Sequence, residues 1–363
     1  MKIAAIETIV VRLPYTQDGP PSGFGGKVWT TLDTLLVRVE TDQGIVGWGE
    51  GFGYNCIAAT KAAIDTQIAP LAIGRDARDI AGISRSLQQA LHLFGRTGPV
   101  TFGLSGLDIA LWDIAGKAAG LPVHRLLGGA SHTSVPTYAS MLRYTDPKIV
   151  AKVARKAAAS GARHIKLHEI TVEATAAARD AVGPDVAIML DTNCPWTFDE
   201  ALAIIPKLEP LDLFWLEEPL WPPENHEGLA SLRDRFDVPI AAGENVMSPM
   251  EFAQMFAAGA LDVAQSSVTK IGGISAMREV QALARNANVQ WTPHAPYFGP
   301  GMLATLQLIA ATPVPTLLER FFVTMTPSLY GDLTTTVDGM IRVPDGPGLG
   351  RDPDPDVIAK FRA

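Results

Sequence analysis

From about residue 134 the chain repeats one unit, a short apolar run closing on a polar residue and then an amphipathic stretch of helical period. The runs are VPTYASM, HIKLHE, VAIMLD, LFWLEE, PIAAGE, DVAQSS, VQWTPH and TLLER, with helix candidates such as PKIVAKVARKAAASGA, DEALAIIPKLE, PMEFAQMFAAGAL and GISAMREVQALARNAN between them. Strands that alternate with helices pair in parallel through right-handed crossovers, which leaves an open doubly wound sheet or a closed barrel. An open nucleotide-binding sheet calls for a glycine-rich phosphate loop after its first strand. None follows VPTYASM, and eight strand units suit closure, so an α/β barrel is expected. Two helix starts carry capping-box patterns, Thr197 with Glu200 and Ser248 with Glu251, the second with Pro249 at the first helical position.

In such a barrel the reactive groups gather at the C-terminal strand ends. Those ends are Lys166 with His168, then Asp191, Glu217, Glu244, Ser267, His294 and Glu319, spaced from Lys166 by 25, 26, 27, 23, 27 and 25 residues. A near-constant step sets them at one level, facing one another. Converging carboxylates in a partly dehydrated site repel and drift toward protonation unless a cation holds them. One acid alone could as easily cap a helix or pair with a rim base, but Asp191, Glu217 and Glu244 close consecutive strands. A hard oxygen donor set of this kind suits Mg²⁺ rather than zinc. Residues two apart on a strand share a face, so Lys166 and His168 project together while Leu167 points away. The plainer alternative is that Lys166 only neutralises the carboxylates and His168 is a packed core histidine. Glu169 is expected at the rim or as a cap. His294 enters from the opposite side of the ring. A metal flanked by two imidazoles and a lysine suits removal of a proton beside a carboxylate, because the metal takes the developing charge while a base accepts the proton.

A chain of 363 residues exceeds one ordinary core, so a second, smaller domain is expected. Residues 1–125 read as α+β, with strand-like KIAAIETIVVRL and TLLVRVETDQGIVGWGEG and with helical CIAATKAAIDTQIAPL and SGLDIALWDIAGKAAG. The barrel is assigned to 126–325, and the Pro-, Gly- and Asp-rich segment 326–363 is expected to return to the N-terminal domain. The glycine- and proline-rich stretch near 14–26 reads as a surface loop or a mobile flap. A net charge of −8 argues against nucleic acid or an anionic membrane as partner. Two cysteines, Cys56 and Cys194, make no disulfide framework, and no secretory leader or membrane-length apolar run is apparent, so a cytoplasmic location is expected. An acidic substrate would need a local cation, which Lys166 can supply.

Taken together, GWGEG, ALWDIAGKAAGLPVHRLLGG, the DTN of Asp191 to Asn193, WLEEP, GEN, KIGG and PH resemble the enolase superfamily, in the neighbourhood of mandelate racemase and the acid-sugar dehydratases. The resemblance implies a (β/α)7β barrel under an α+β capping domain, with Mg²⁺ held by Asp191, Glu217 and Glu244 and with Glu218 a non-ligand glutamate. It implies a small carboxylic acid as substrate and a homo-oligomeric assembly. Lys166 matches a lysine that touches the substrate carboxylate, and His168 stands where relatives carry a lysine base. His294 matches the seventh-strand histidine, but Ser267 occupies the place of its usual aspartate, or of the lysine base of the muconate-lactonising group. Glu319 matches a glutamate that hydrogen-bonds the substrate carboxylate in mandelate racemase, and Asn193 and Tyr138 are expected to bind substrate. Tyr297 and Trp196 are expected at the mouth. The implied chemistry is Mg²⁺-dependent abstraction of the proton α to a carboxylate. Racemisation needs a competent base on each face, whereas dehydration of a hydroxylated sugar acid to a 2-keto-3-deoxy acid needs one base and one acid. Without its carboxylate partner, His294 favours dehydration. A racemase or epimerase, and a weakly catalytic metal-dependent ligand-binding barrel, are the alternatives.

Overall fold

Alternate glycines in GWGEG let a sheet and a helix touch backbone to backbone. The computed structural model, which describes residues 1–23, 26–129, 132–313 and 316–363, begins with an antiparallel meander of β1 (Ile3–Thr16), β2 (Thr31–Thr41) and β3 (Val46–Gly51). The turn between β2 and β3 closes with Gly44 N–H donating to the Thr41 carbonyl at 3.0 Å. Gly47 and Gly49 face the long helix Pro99–Ala119 so closely that a Cβ at Gly49 would lie 1.9 Å from the Gly106 carbonyl oxygen. Overpacking of that sort costs about 1–3 kcal/mol where neighbours can yield, and here the neighbour is backbone. The helix stops at the left-handed Gly120, as its Gly-x-Pro ending predicts.

Because strand side chains alternate, Glu50 points the opposite way from the glycines, toward the barrel. It is buried, and its carboxylate accepts the Gly301 N–H at 2.8 Å at the start of helix Pro300–Ala310. Burial pushes the Glu50 carboxyl up to about 8, against the lowering effect of that bond. Its folded pKa is raised above its unfolded value, so the folded chain keeps a proton that the unfolded chain loses, and stability falls as pH rises from about 4.5 to about 8. The upper bound of this effect is ~5 kcal/mol. Thermal melts between about pH 5 and pH 9 should therefore show Glu50→Gln losing less stability than wild type. Asp108 and Glu218, also raised by burial, titrate in both proteins and cancel from the comparison. Parallel pH profiles would refute the assignment.

The eight barrel strands are β4 (Ser134–Ser140), β5 (His164–Leu167), β6 (Ala187–Asp191), β7 (Leu213–Glu217), β8 (Ile240–Ala242), β9 (Val263–Ala264), β10 (Gln290–Trp291) and β11 (Leu318–Phe321). They pair in parallel in the order β10-β9-β8-β7-β6-β5-β4-β11. At the β10/β11 seam the Thr316 hydroxyl donates to the Trp291 carbonyl at 2.7 Å and Ala295 N–H donates to Glu319 at 3.0 Å. Seven crossover helices follow the first seven strands, from Pro147–Ala159 to Pro300–Ala310. After β11 the chain adds β12 (Thr324–Met325) to β1 and β13 (Met340–Arg342) to β4, and the last residue's N–H bonds the Val10 carbonyl at 2.9 Å. This is the (β/α)7β barrel predicted, with an antiparallel sheet and helices as its cap. The Thr197 capping box forms in full. The second forms by half: Ser248 accepts the Glu251 N–H, but the Glu251 carboxylate lies 3.5 Å from the Met247 N–H instead.

Period-two alternation sorts every strand. Ile165, Leu167, Leu190 and Leu216 join the large core under the helices. Tyr138, Met189, Trp215, Ala241, Val263 and Leu317 fill an inner barrel layer. One step further along the inward faces stand Ser140, Asp191 and Glu217, so the polar level of the mouth rests on a packed apolar floor. Among the described residues no helix is long and apolar enough to cross a membrane.

Candidate active site

Asp191 and Glu217 end β6 and β7 on inward faces and are opposite each other in register. β8 stops at Ala242, and Gly243, with φ of +123°, turns the chain so that Glu244 rather than residue 243 faces the site. A side chain at Gly243 would also strike the Phe252 ring at 2.6 Å. One carboxylate oxygen from each of Asp191, Glu217 and Glu244 lies within 4.8 Å of the others. Burial and Asp191 push Glu217 well above the ordinary carboxylate range, against the pull of Lys166. An all-oxygen donor set, Asp191 and Glu217 buried and Glu244 partly so, with one member driven toward protonation fits a hard divalent cation such as Mg²⁺, which would relieve that repulsion.

Lys166 is fully buried, with Nζ at 3.2 Å from Asp191, 3.1 Å from Glu217 and 2.9 Å from Glu319. Burial disfavours its charge, but Glu217, Glu319, Tyr138 and Asp191 outweigh that and hold it well above the ordinary lysine range. His168 shares its face, as the two-residue spacing requires. Its Nδ1 hydrogen-bonds the Met141 carbonyl, and its Nε2 is 3.2 Å from Asp191 Oδ2. A carbonyl only accepts, so Nδ1 carries a proton, and in the neutral ring Nε2 holds the lone pair toward the triad. Asp191, ionised, can only accept, so Nε2 is free to take a proton only where a cation would hold that carboxylate. Burial works to raise Asp191, yet Lys166 and His168 bring it below its ordinary value.

Across the mouth, His294 presents Nε2 to Glu244 Oε2 at 2.9 Å, with Glu319 Oε2 at 3.9 Å. Its Nδ1 is 3.4 Å from the Ser267 hydroxyl. Glu244 is held well below the ordinary range because His294 and Lys270 outweigh its burial. An ionised Glu244 can only accept, so Nε2 carries a proton here. Both Nε2 atoms thus face ionised carboxylates, and the two imidazoles differ behind the ring, where a carbonyl meets Nδ1 of His168 and a hydroxyl that can donate meets Nδ1 of His294.

Glu319 is satisfied on both oxygens, by Lys166 and the Ser140 hydroxyl at 2.8 Å on one and by Ala295 N–H on the other. Asn193 donates its backbone N–H to Asp191 at 3.0 Å and accepts from Arg143 at 2.9 Å. Tyr138 does not stand at the mouth. It lies two residues before Ser140 on the inward face and therefore one layer deeper, edge-on to Trp215 at 5.9 Å. Tyr297 and Trp196 are likewise buried, the first against Ser267 and the second in the core outside the barrel. Glu169 caps the loop after β4 by accepting the Tyr144 and Thr145 N–H groups. Glu218 turns away from the triad in a left-handed conformation, with φ of +47°, and accepts from Asn245 at 2.9 Å. Of the glycine-rich stretch near 14–26, residues 14–16 belong to β1, and 24–25 lie outside the described residues.

Three residues were missed in the sequence. Arg143 donates to the His168 and Thr192 carbonyls, tying the ends of β5 and β6. It stands 23 residues before Lys166, so extending the ladder one step back would have found it. Lys270, the lysine of KIGG, reaches Glu244 at 3.1 Å and lies over the Phe52 ring of the cap at 4.6 Å. Glu50 carried no local signal beyond its glycine neighbours.

The description "Mandelate racemase / muconate lactonizing enzyme, N-terminal domain" matches residues 5–128, and "Enolase C-terminal domain-like" matches 148–357. The chain is 33% identical to D-galactarolactone cycloisomerase of Agrobacterium fabrum, over 90% of this chain and 91% of that one. It is 31% identical to arabinonate dehydratase of Saccharolobus solfataricus, over 88% of each. A racemase from Streptomyces coelicolor solved with bound magnesium superposes with a TM-score of 0.88 at 28% identity, covering 99% of this chain and 100% of that one.

Proposed function

Because the chain belongs to the mandelate racemase and muconate lactonizing enzyme family of the enolase superfamily, we propose that it is a lyase removing water from a hydroxylated sugar acid. The reaction starts by taking the proton α to the substrate carboxylate. Asp191, Glu217 and Glu244 would hold Mg²⁺. That ion, when bound, would offset the negative charge developing on the substrate carboxylate. His168 takes the α-proton on Nε2, the nitrogen left open by its bond to Met141. Lys166 keeps a fixed positive charge under the site, and Arg143 holds the strand ends that carry His168 and Asn193. His294 gives its Nε2 proton to the departing β-hydroxyl, which leaves as water; the Ser267 hydroxyl at Nδ1 offsets the charge left on the ring, which solvent reprotonates while His168 releases the proton it took. The observation that carries this reading is the pair of imidazoles on either side of one carboxylate triad whose Nδ1 atoms face unlike partners, a carbonyl behind His168 and a hydroxyl behind His294. A base facing an acid suits elimination. Two bases would suit racemisation.

The same half-reaction serves a second reading, favoured by the 33% identity to a cycloisomerase: elimination of a ring oxygen that stays attached, an isomerisation. Incubation with a panel of aldonic acids, sugar diacids and their lactones, followed by mass spectrometry, separates the two. The expected result is a 2-keto product lighter than its substrate by one water. A product of unchanged mass would replace dehydration by isomerisation. In D₂O, deuterium in recovered substrate with no keto acid formed would point to epimerisation.

A further inference from the structure

The carboxylate that resemblance places behind the seventh-strand histidine is absent, and a serine and a tyrosine stand there instead. Ser267 is fully buried and hydrogen-bonds the Tyr297 hydroxyl, while its oxygen lies 3.4 Å from His294 Nδ1. The Tyr297 ring meets the His294 ring edge-on, 6.1 Å between centroids and 86° between planes. Tyr297 is only 4% exposed, and burial holds its phenol far above the ordinary range, so it remains a donor.

The loop carrying both residues is pinned on three sides. Glu50 takes the Gly301 N–H, the Tyr54 hydroxyl donates to the Pro296 carbonyl at 3.1 Å, and Arg320 donates to the Tyr297 carbonyl at 2.9 Å. Gly301 leaves the space Tyr297 needs: a Cβ there would lie 3.3 Å from the tyrosine ring and 2.6 Å from Thr269. Tyr297 is thereby kept from the mouth and turned to the rear of His294.

We propose that the Ser267 and Tyr297 hydroxyls form a positioning pair that fixes His294 with its proton on Nε2. The tyrosine O–H donates to the serine oxygen, and the serine O–H donates to Nδ1. A carboxylate behind Nδ1 would accept a proton and favour a ring that takes a second one; a hydroxyl chain that donates leaves Nδ1 as acceptor and Nε2–H facing the reaction. The pair sets the direction of proton transfer, so that His294 gives and does not take. This deepens the dehydration reading and rests on it for its meaning, but not for its test.

The test uses the magnesium-loaded protein, in which Glu244 would be engaged by the ion and would no longer dictate the His294 proton by itself, with ring-¹⁵N histidine and the His294 signals assigned by comparison with His294→Asn. Without substrate, wild type should show the Nε2–H tautomer at His294. Tyr297→Phe and Ser267→Ala should show mixed tautomers, with kcat lowered by about 10–100-fold and KM within about twofold, the range of an outer partner of a catalytic group. Ser267→Asp in the Tyr297→Phe background should return a single signal set for a ring protonated on Nδ1. An Nδ1–H tautomer in wild type, or an unchanged His294 spectrum in both single variants, overturns the pair whatever the substrate proves to be. Conversely, an isomerised product with the Nε2–H tautomer intact sinks dehydration and leaves the pair standing. Should Tyr297→Phe melt far below wild type, Ser267→Ala carries the comparison.

Discussion

His168→Asn is expected to lower kcat by about 10²–10⁴-fold, the contribution of a positioned general base, while the fold and magnesium binding persist. Asparagine can still donate its amide to the Met141 carbonyl, so the local hydrogen bond survives and only the proton-accepting nitrogen is lost. Circular dichroism and a thermal melt would establish that the barrel is intact, and steady-state kinetics on the substrate found by screening would give the loss. His168→Lys should recover part of the activity with the pH optimum moved upward, because an amine is intrinsically more basic than an imidazole. If His168→Asn retained turnover within a few-fold, the base would have to be sought elsewhere, and Lys166 would be the next residue to test. Its three carboxylate contacts make it a poor acceptor, since each stabilises its proton.

Removal of divalent metal is the second large effect. A chelator should abolish turnover, and added Mg²⁺ should restore it. Wild type should also gain stability with magnesium, by about 2.7 kcal/mol at a concentration near one hundred times its dissociation constant. Glu217→Gln isolates the cause. Burial and Asp191 already drive Glu217 toward its neutral form, so the neutral amide should cost the metal-free protein little, and the Trp215 indole N–H, now 2.9 Å from Glu217, can still donate to the amide oxygen. The variant should melt near metal-free wild type yet show little rise on adding magnesium. A variant that gained as much stability as wild type would remove Glu217 from the ligand set.

Legibility of the site followed distance along the chain. The ladder from Lys166 to Glu319 could be read because each member closes a strand, and the strands recur at the length of one βα unit. Glu244 needed one local correction, since β8 ends at Ala242 and the positive φ at Gly243 restores the acid to the site. Tyr138 was misplaced because facing inward does not say how deep a residue sits; its layer depends on the stagger of neighbouring strands. Tyr297 was misplaced because loop composition cannot say that three partners from the cap and β11 hold the loop's back to the solvent.

The sequence by itself determined which side chains face the barrel interior, because strand alternation and the βα repeat are local periodicities that survive any detail of packing. It also determined that three acids converge at one level. The tertiary structure decided what each imidazole can do. A tautomer depends on the partner of the second ring nitrogen, and those partners come from other strands: the Met141 carbonyl behind His168 and the Ser267 hydroxyl behind His294, itself bonded to Tyr297. These bonds join residues brought together only when the barrel closes, and on the proposed reading they separate the base from the acid.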